Sequence, residues 1–148
     1  MPLNLKETKR KLVANIPLRA SMSHNRTLTV LSLISIILMA FHLTGDFVLG
    51  LDKGAASPVA AMILIVWLSG TLVLGATRLG YVLMLLGGLM GAGMPFIHMR
   101  GRGITDAIGA STLGIFFIWG LFAVGATGSV AAILSLQELW RMRTRKAS

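Results

Sequence analysis

His42 and Asp46 stand four residues apart, which on a helix puts both on one face about 6 Å apart along the axis. Two further residues of the same kinds, His98 and Asp106, fall near the ends of other apolar runs. Imidazole and carboxylate are the N and O donors that hold Zn²⁺ and related divalent ions. A carboxylate beside an imidazole also orients the ring and favours its charged form, so the pair can relay a proton. Either imidazole, His42 or His98, is in addition a candidate axial ligand for haem or another tetrapyrrole. The expected site is therefore His42, Asp46, His98 and Asp106 as metal ligands, with His42 and His98 as cofactor-binding residues, and a divalent metal or a tetrapyrrole as the group held. A plainer role competes with these: Asp46 pairs with His42, His98, Arg100 or Arg102 only to satisfy buried polarity.

The surroundings make such groups conspicuous. The 148-residue chain is 55% hydrophobic and 13% charged, with a mean hydropathy of +0.79. A soluble domain carries charge on roughly a quarter of its residues, so half that fraction makes lipid the solvent of most of the chain. The net charge of +9 does not point to nucleic acid, because it flanks the apolar runs and forms no patch among them. Lys6, Lys9, Arg10, Lys11, Arg19 and Arg26 precede the first run, and Arg141, Arg143, Arg145 and Lys146 follow the last. Anionic headgroups draw basic residues to those places. With no cysteine, disulfides, thiolate metal sites and thiol redox chemistry are excluded.

The apolar runs divide the chain into a basic N-terminal segment (1–26), a membrane domain (27–140) and a basic C-terminal tail (141–148). Four spans are expected at about 27–47, 59–77, 81–98 and 107–135, each near the ~20 residues that cross ~30 Å of hydrocarbon. The fold class is all-α, a four-helix transmembrane bundle with short loops. Pro17 should end a short helix lying on the membrane surface, with a disordered basic tail as the alternative. Arg78-Leu79-Gly80 reads as a tight turn, Pro95 as a kink in the third span, and Thr105 or Asp106 as the N-cap of the fourth. That last helix has the pattern to run on to the Leu139-Trp140 boundary, long enough to tilt or project. The pairs His42 and His98, and Trp67 and Trp119, also suggest a duplicated helical hairpin.

Placing both termini inside puts eleven of the fourteen Lys and Arg on the cytoplasmic face, as the positive-inside rule favours. The expected location is a bacterial inner (plasma) membrane. The third span holds Gly87, Gly88, Gly91 and Gly93 and the fourth Gly109, Gly114, Gly120, Gly125 and Gly128, small faces on which helix backbones approach closely. Glu138 and Arg141 read as an exposed i,i+3 pair. No Gly-x-Ser-x-Gly, P-loop, His-Glu-x-x-His or dinucleotide-binding glycine pattern is present, so catalysis is not expected. The leading expectation is a non-catalytic membrane subunit or accessory module that forms a homo-oligomer, or joins other membrane subunits, through its Gly-rich faces. Its rivals are an outer-facing metal, haem/pigment or proton site on His42, Asp46 and His98, and a small-solute transporter. The transporter lacks polar groups along the inner half of the bundle.

Overall fold

A computed structural model of the chain describes residues 5–48, 57–100 and 113–145. Every regular element among the described residues is helical: α1 (Leu5–Val48), α2 (Ser57–Leu72), α3 (Arg78–Arg100) and α4 (Leu113–Thr144). Three stretches, His24–Val48, Arg78–Arg100 and Gly114–Thr144, are long and apolar enough to cross a membrane. α2 has 16 residues, a rise of about 24 Å at 1.5 Å per residue, a few ångströms less than the ~30 Å of a hydrocarbon core.

Contacts at both ends fix the helix directions. Asn25 of α1 meets Tyr81 of α3 at one end, and Asp46 of α1 meets His98 of α3 at the other, so α1 and α3 run parallel. His42 stacks on Phe117 of α4 while His24 pairs with Glu138, so α4 runs antiparallel to both. α2 packs on α1 and α3, and its backbone stays clear of α4. The result is an up-down-up-down bundle in which the first and last helices meet again at the His24 end. Leu28, Tyr81, Met84 and Ala131 form one core layer near that end, and Ile36, Met39, Trp67 and Val124 form a second toward the histidines.

Glycine decides the closest approach. A side-chain carbon on Gly88 would stand 2.8 Å from the Ala132 nitrogen and 2.8 Å from the Gly128 oxygen, both main chain. Gly125 lies against the Pro95 ring in the same way. The seam between α3 and α4 is thus Gly88 and Ala92 facing Gly128 and Ala132. Gly87 serves a different neighbour, because the Trp67 ring of α2 occupies the space its side chain would need. The single small face suggested by Gly87-x-x-x-Gly91 is divided between two partners. Gly88→Ala should therefore lower thermal stability in detergent sharply, since two backbones must separate. Gly120→Ala, in open space, should be neutral or add up to about 1 kcal/mol through helix propensity. Equal melting temperatures for the two variants would remove close packing as the basis of the seam.

α2 is fastened to α1 by a ring of hydrogen bonds. Thr71 Oγ1 donates to the Trp67 carbonyl at 2.9 Å, which uses its one proton. Ser32 Oγ must then donate to Thr71 Oγ1 at 2.8 Å while accepting from Trp67 Nε1 at 2.9 Å. Every polar atom in this buried trio has a partner. Ser32→Ala should cost about 1 kcal/mol, read as a shift in thermal unfolding, because polar bonds between membrane helices average ~0.6 and reach ~1.7 kcal/mol.

Four expectations need correction. α1 does not stop at Pro17 but runs for 44 residues from Leu5 into the span; proline removes one N–H, and a helix already propagated from a buried segment tolerates that loss. The second helix ends at Leu72 and not at 77, because Leu74 N bonds back five residues to Ser69 O and the helical register is lost. The turn accordingly falls at 73–77, upstream of Arg78-Leu79-Gly80. Thr77 caps α3, accepting from Gly80 N at 3.1 Å and donating to the Leu74 carbonyl at 2.8 Å. α3 runs from Arg78 to Arg100 with Pro95 inside it, where about 81–98 was expected. The start of the fourth span, with Thr105, Asp106 and Gly109, lies outside the described residues.

Candidate metal centre

Along α1 the residues Asn25, Ser32, Ser35, His42 and Asp46 recur at steps of seven, three, seven and four, which return to one helix face. That face is turned inward, with Ser32 and Ser35 fully buried and His42 only 3% exposed. The serines satisfy themselves: Ser35 donates to the Leu31 carbonyl at 2.9 Å, and Ser32 belongs to the ring with Trp67. His42 does not. Both its ring nitrogens, together with Asp46 Oδ1, are buried without a hydrogen-bond partner among the described residues.

Three of the four expected ligands converge. His42 Nε2 lies 3.5 Å from Asp46 Oδ2, and His98 Nε2 lies 3.7 Å from Asp46 Oδ1. These separations exceed the ~2.7–3.2 Å of an N–H···O hydrogen bond. They approach the edge of a tetrahedral ion, where bonds of ~2.0–2.1 Å hold neighbouring ligand atoms about 3.3 Å apart. One donor atom from each of His42, Asp46 and His98 lies within 4.8 Å of the others, so closure on an ion asks for movement of about 1 Å. His98 is prepared for the role. Its Nδ1 donates to the Met94 carbonyl at 3.1 Å, which leaves Nε2 of the neutral ring as the lone-pair nitrogen turned toward Asp46.

The rings are held from one side by α4. Phe117 stacks on His42 with centroids 4.6 Å apart and meets His98 edgewise at 5.8 Å. Gly45 admits it, since a side-chain carbon there would stand 3.0 Å from Phe117 Cδ2. His42 and His98 themselves meet edge to face at 4.8 Å. His42 thus lies between Phe117 and His98. Arg100 is exposed at the end of α3 and forms no ion pair with Asp46 among the described residues. Asp106, Asp52 and Arg102 lie outside the described residues.

A second polar knot closes the opposite end and includes a residue to which sequence reasoning gives no role. His24 Nε2 lies 3.2 Å from Glu138 Oε1, and Arg141 Nη1 donates to the same oxygen at 2.9 Å. Glu138 is 6% exposed. This corrects the reading of Glu138 and Arg141 as a simple surface pair: the carboxylate faces α1, and only the guanidinium reaches outward. Beside it the Tyr81 hydroxyl donates to Asn25 Oδ1 at 2.8 Å. The heptad steps from His42 back to Asn25 were the available signal. The two knots stand about 27 Å apart along α1 at 1.5 Å per residue, close to the thickness of a hydrocarbon core. The two hairpins are not equivalent, since Trp67 is 2% exposed and Trp119 is 72% exposed.

No protein-family model, no curated protein and no solved structure matches the chain, so its function must be argued from the three converging ligands.

Proposed function

We propose that this is a membrane protein that binds a divalent transition-metal ion through His42, Asp46 and His98 at one end of its bundle. The observation that carries the reading is the set of buried atoms at His42 and Asp46 with no hydrogen-bond partner among the described residues, near the spacing of ligands on one ion. An unpartnered buried polar atom costs about 1–3 kcal/mol, and several at one place call for a cation. Two neutral imidazoles and one carboxylate would leave the site with one negative charge, and intramembrane ionisable groups mark function by default. The positive-inside rule supports a cytoplasmic location for both termini in a bacterial inner membrane, which turns the site to the opposite face. Reporter fusions at Ser148 and within residues 53–57 should then give opposite compartments.

A purely assembling subunit draws less support, because Gly87, Gly88, Gly91, Gly125 and Gly128 are taken up inside the bundle. A proton relay uses the same residues, and metal uptake separates the two. Element analysis of purified protein dialysed against zinc should give close to one equivalent. Uptake should fall as the pH is lowered, because protons compete with the ion for the imidazoles. Asp46→Asn keeps size and hydrogen bonding but removes the charged ligand; it should still assemble and lose at least about tenfold in zinc affinity. Wild-type protein without zinc, or an Asp46→Asn variant that binds equally well, contradicts the proposal.

A further inference from the structure

The two imidazoles of the centre are oriented by different means. His98 donates from Nδ1 to the Met94 carbonyl, four residues back on α3, at 3.1 Å. That arrangement is the usual one for a histidine ligand. The ring nitrogen turned away from the ion donates to a carbonyl, a carboxylate or water, and so fixes the ring. His42 has no such bond among the described residues. Its Nε2 faces Asp46 Oδ2 at 3.5 Å, and its Nδ1 is buried without a hydrogen-bond partner. The χ2 torsion of a histidine is broad in itself, so the aim of this ring depends on the surfaces that touch it.

Two rings supply those surfaces. Phe117 lies over His42 with 28° between the planes, and His98 meets the same imidazole at 75°. Of the two, only Phe117 comes from outside the three ligands. It is 8% exposed and belongs to α4, which supplies no ligand to the cluster among the described residues. A flat face stacked on a flat face restrains rotation about χ2, the torsion that aims Nε2. The same ring also meets the edge of His98, so one side chain touches both imidazoles. Gly45, three residues along α1 from His42, leaves room for it: a side-chain carbon there would stand 3.0 Å from Phe117 Cδ2.

We propose that Phe117 is a positioning residue of the metal centre, doing for His42 what the Met94 carbonyl does for His98. This role rests on the metal reading given above. Zinc affinity, read by competition with a coloured chelator, should fall about tenfold or more in Phe117→Leu, as loss of an outer-shell contact typically does. Phe116→Leu, at a neighbour that is 72% exposed, should bind like the wild type. Cobalt(II) serves as the spectroscopic probe, because the position and intensity of its visible bands follow the ligand geometry. At saturating cobalt those bands should shift or weaken in Phe117→Leu. A ring that only filled space would lower the melting temperature and leave the saturated spectrum unchanged. Gly45→Ala reaches the same contact without emptying the core: it favours the helix but makes the Phe117 ring give by a few tenths of an ångström. Its zinc affinity should fall while the metal-free protein melts no lower than the wild type. An unchanged affinity or an unchanged cobalt spectrum in folded Phe117→Leu overturns the positioning role and leaves the metal centre standing. If that variant does not fold, the same two results in Gly45→Ala decide. Wild-type protein that takes up neither ion overturns the metal reading, and the role of Phe117 with it.

Discussion

Metal-free protein carrying His42→Leu is expected to be more stable than metal-free wild type, and to gain nothing from zinc. The wild-type imidazole is buried against Phe117 and His98 with neither nitrogen hydrogen-bonded among the described residues. Replacing it by an apolar side chain of similar bulk removes an unsatisfied group from a low-dielectric site, a gain of about 1–3 kcal/mol. Asp46 keeps His98 at 3.7 Å. In wild type, zinc at a hundredfold excess over its dissociation constant should add about 2.7 kcal/mol; in the variant it should add nothing. Thermal unfolding in detergent with and without zinc gives all four values. A His42 that served only to steady Asp46 would give the reverse order, with the variant less stable in every condition. Function held against stability is the usual condition of a binding site.

Glu138→Ala should produce the largest loss at the other end of the bundle. It strips His24 of its carboxylate and removes a buried contact between α1 and α4, whereas Arg141 reaches water and recovers solvation. Breaking a fully buried pair costs about 3–5 kcal/mol; with one partner exposed, about 1–3 kcal/mol is expected. Glu138→Gln keeps shape and hydrogen bonding and should fall between. A Glu138→Ala protein that unfolds with the wild type would mean that the carboxylate is solvated, as its sequence position beside four basic residues suggests.

The helices were legible because lipid imposes length and apolarity, and those properties survive in composition. His42, Asp46 and His98 were legible for the same reason: an ionisable group in an apolar run has few bland explanations. Which glycine faces which helix was not, because the division of Gly87 and Gly88 between Trp67 and Gly128 depends on helix rotation, which no local pattern fixes. Trp67 and Trp119 look alike in sequence, yet one is core and the other faces outward; only the ring with Ser32 and Thr71 separates them. His24 escaped because it sits among basic residues where a histidine draws no notice, and its partner Glu138 lies more than a hundred residues along the chain. The end of α2 at Leu72 was hidden by apolar residues that continue past the point where its register breaks.

The set of atoms around a bound ion is the property that decides between a metal centre and a merely structural cluster. X-ray absorption at the zinc edge of protein loaded with one equivalent measures that directly. It should show nitrogen and oxygen neighbours near 2.0–2.1 Å with the outer-shell scattering of two imidazoles. Driven to load at zinc concentrations far above those that saturate the wild type, His42→Ala and His98→Ala should each show one imidazole fewer. A spectrum without imidazole scattering, or one that neither substitution changes, would contradict a centre built on His42, Asp46 and His98.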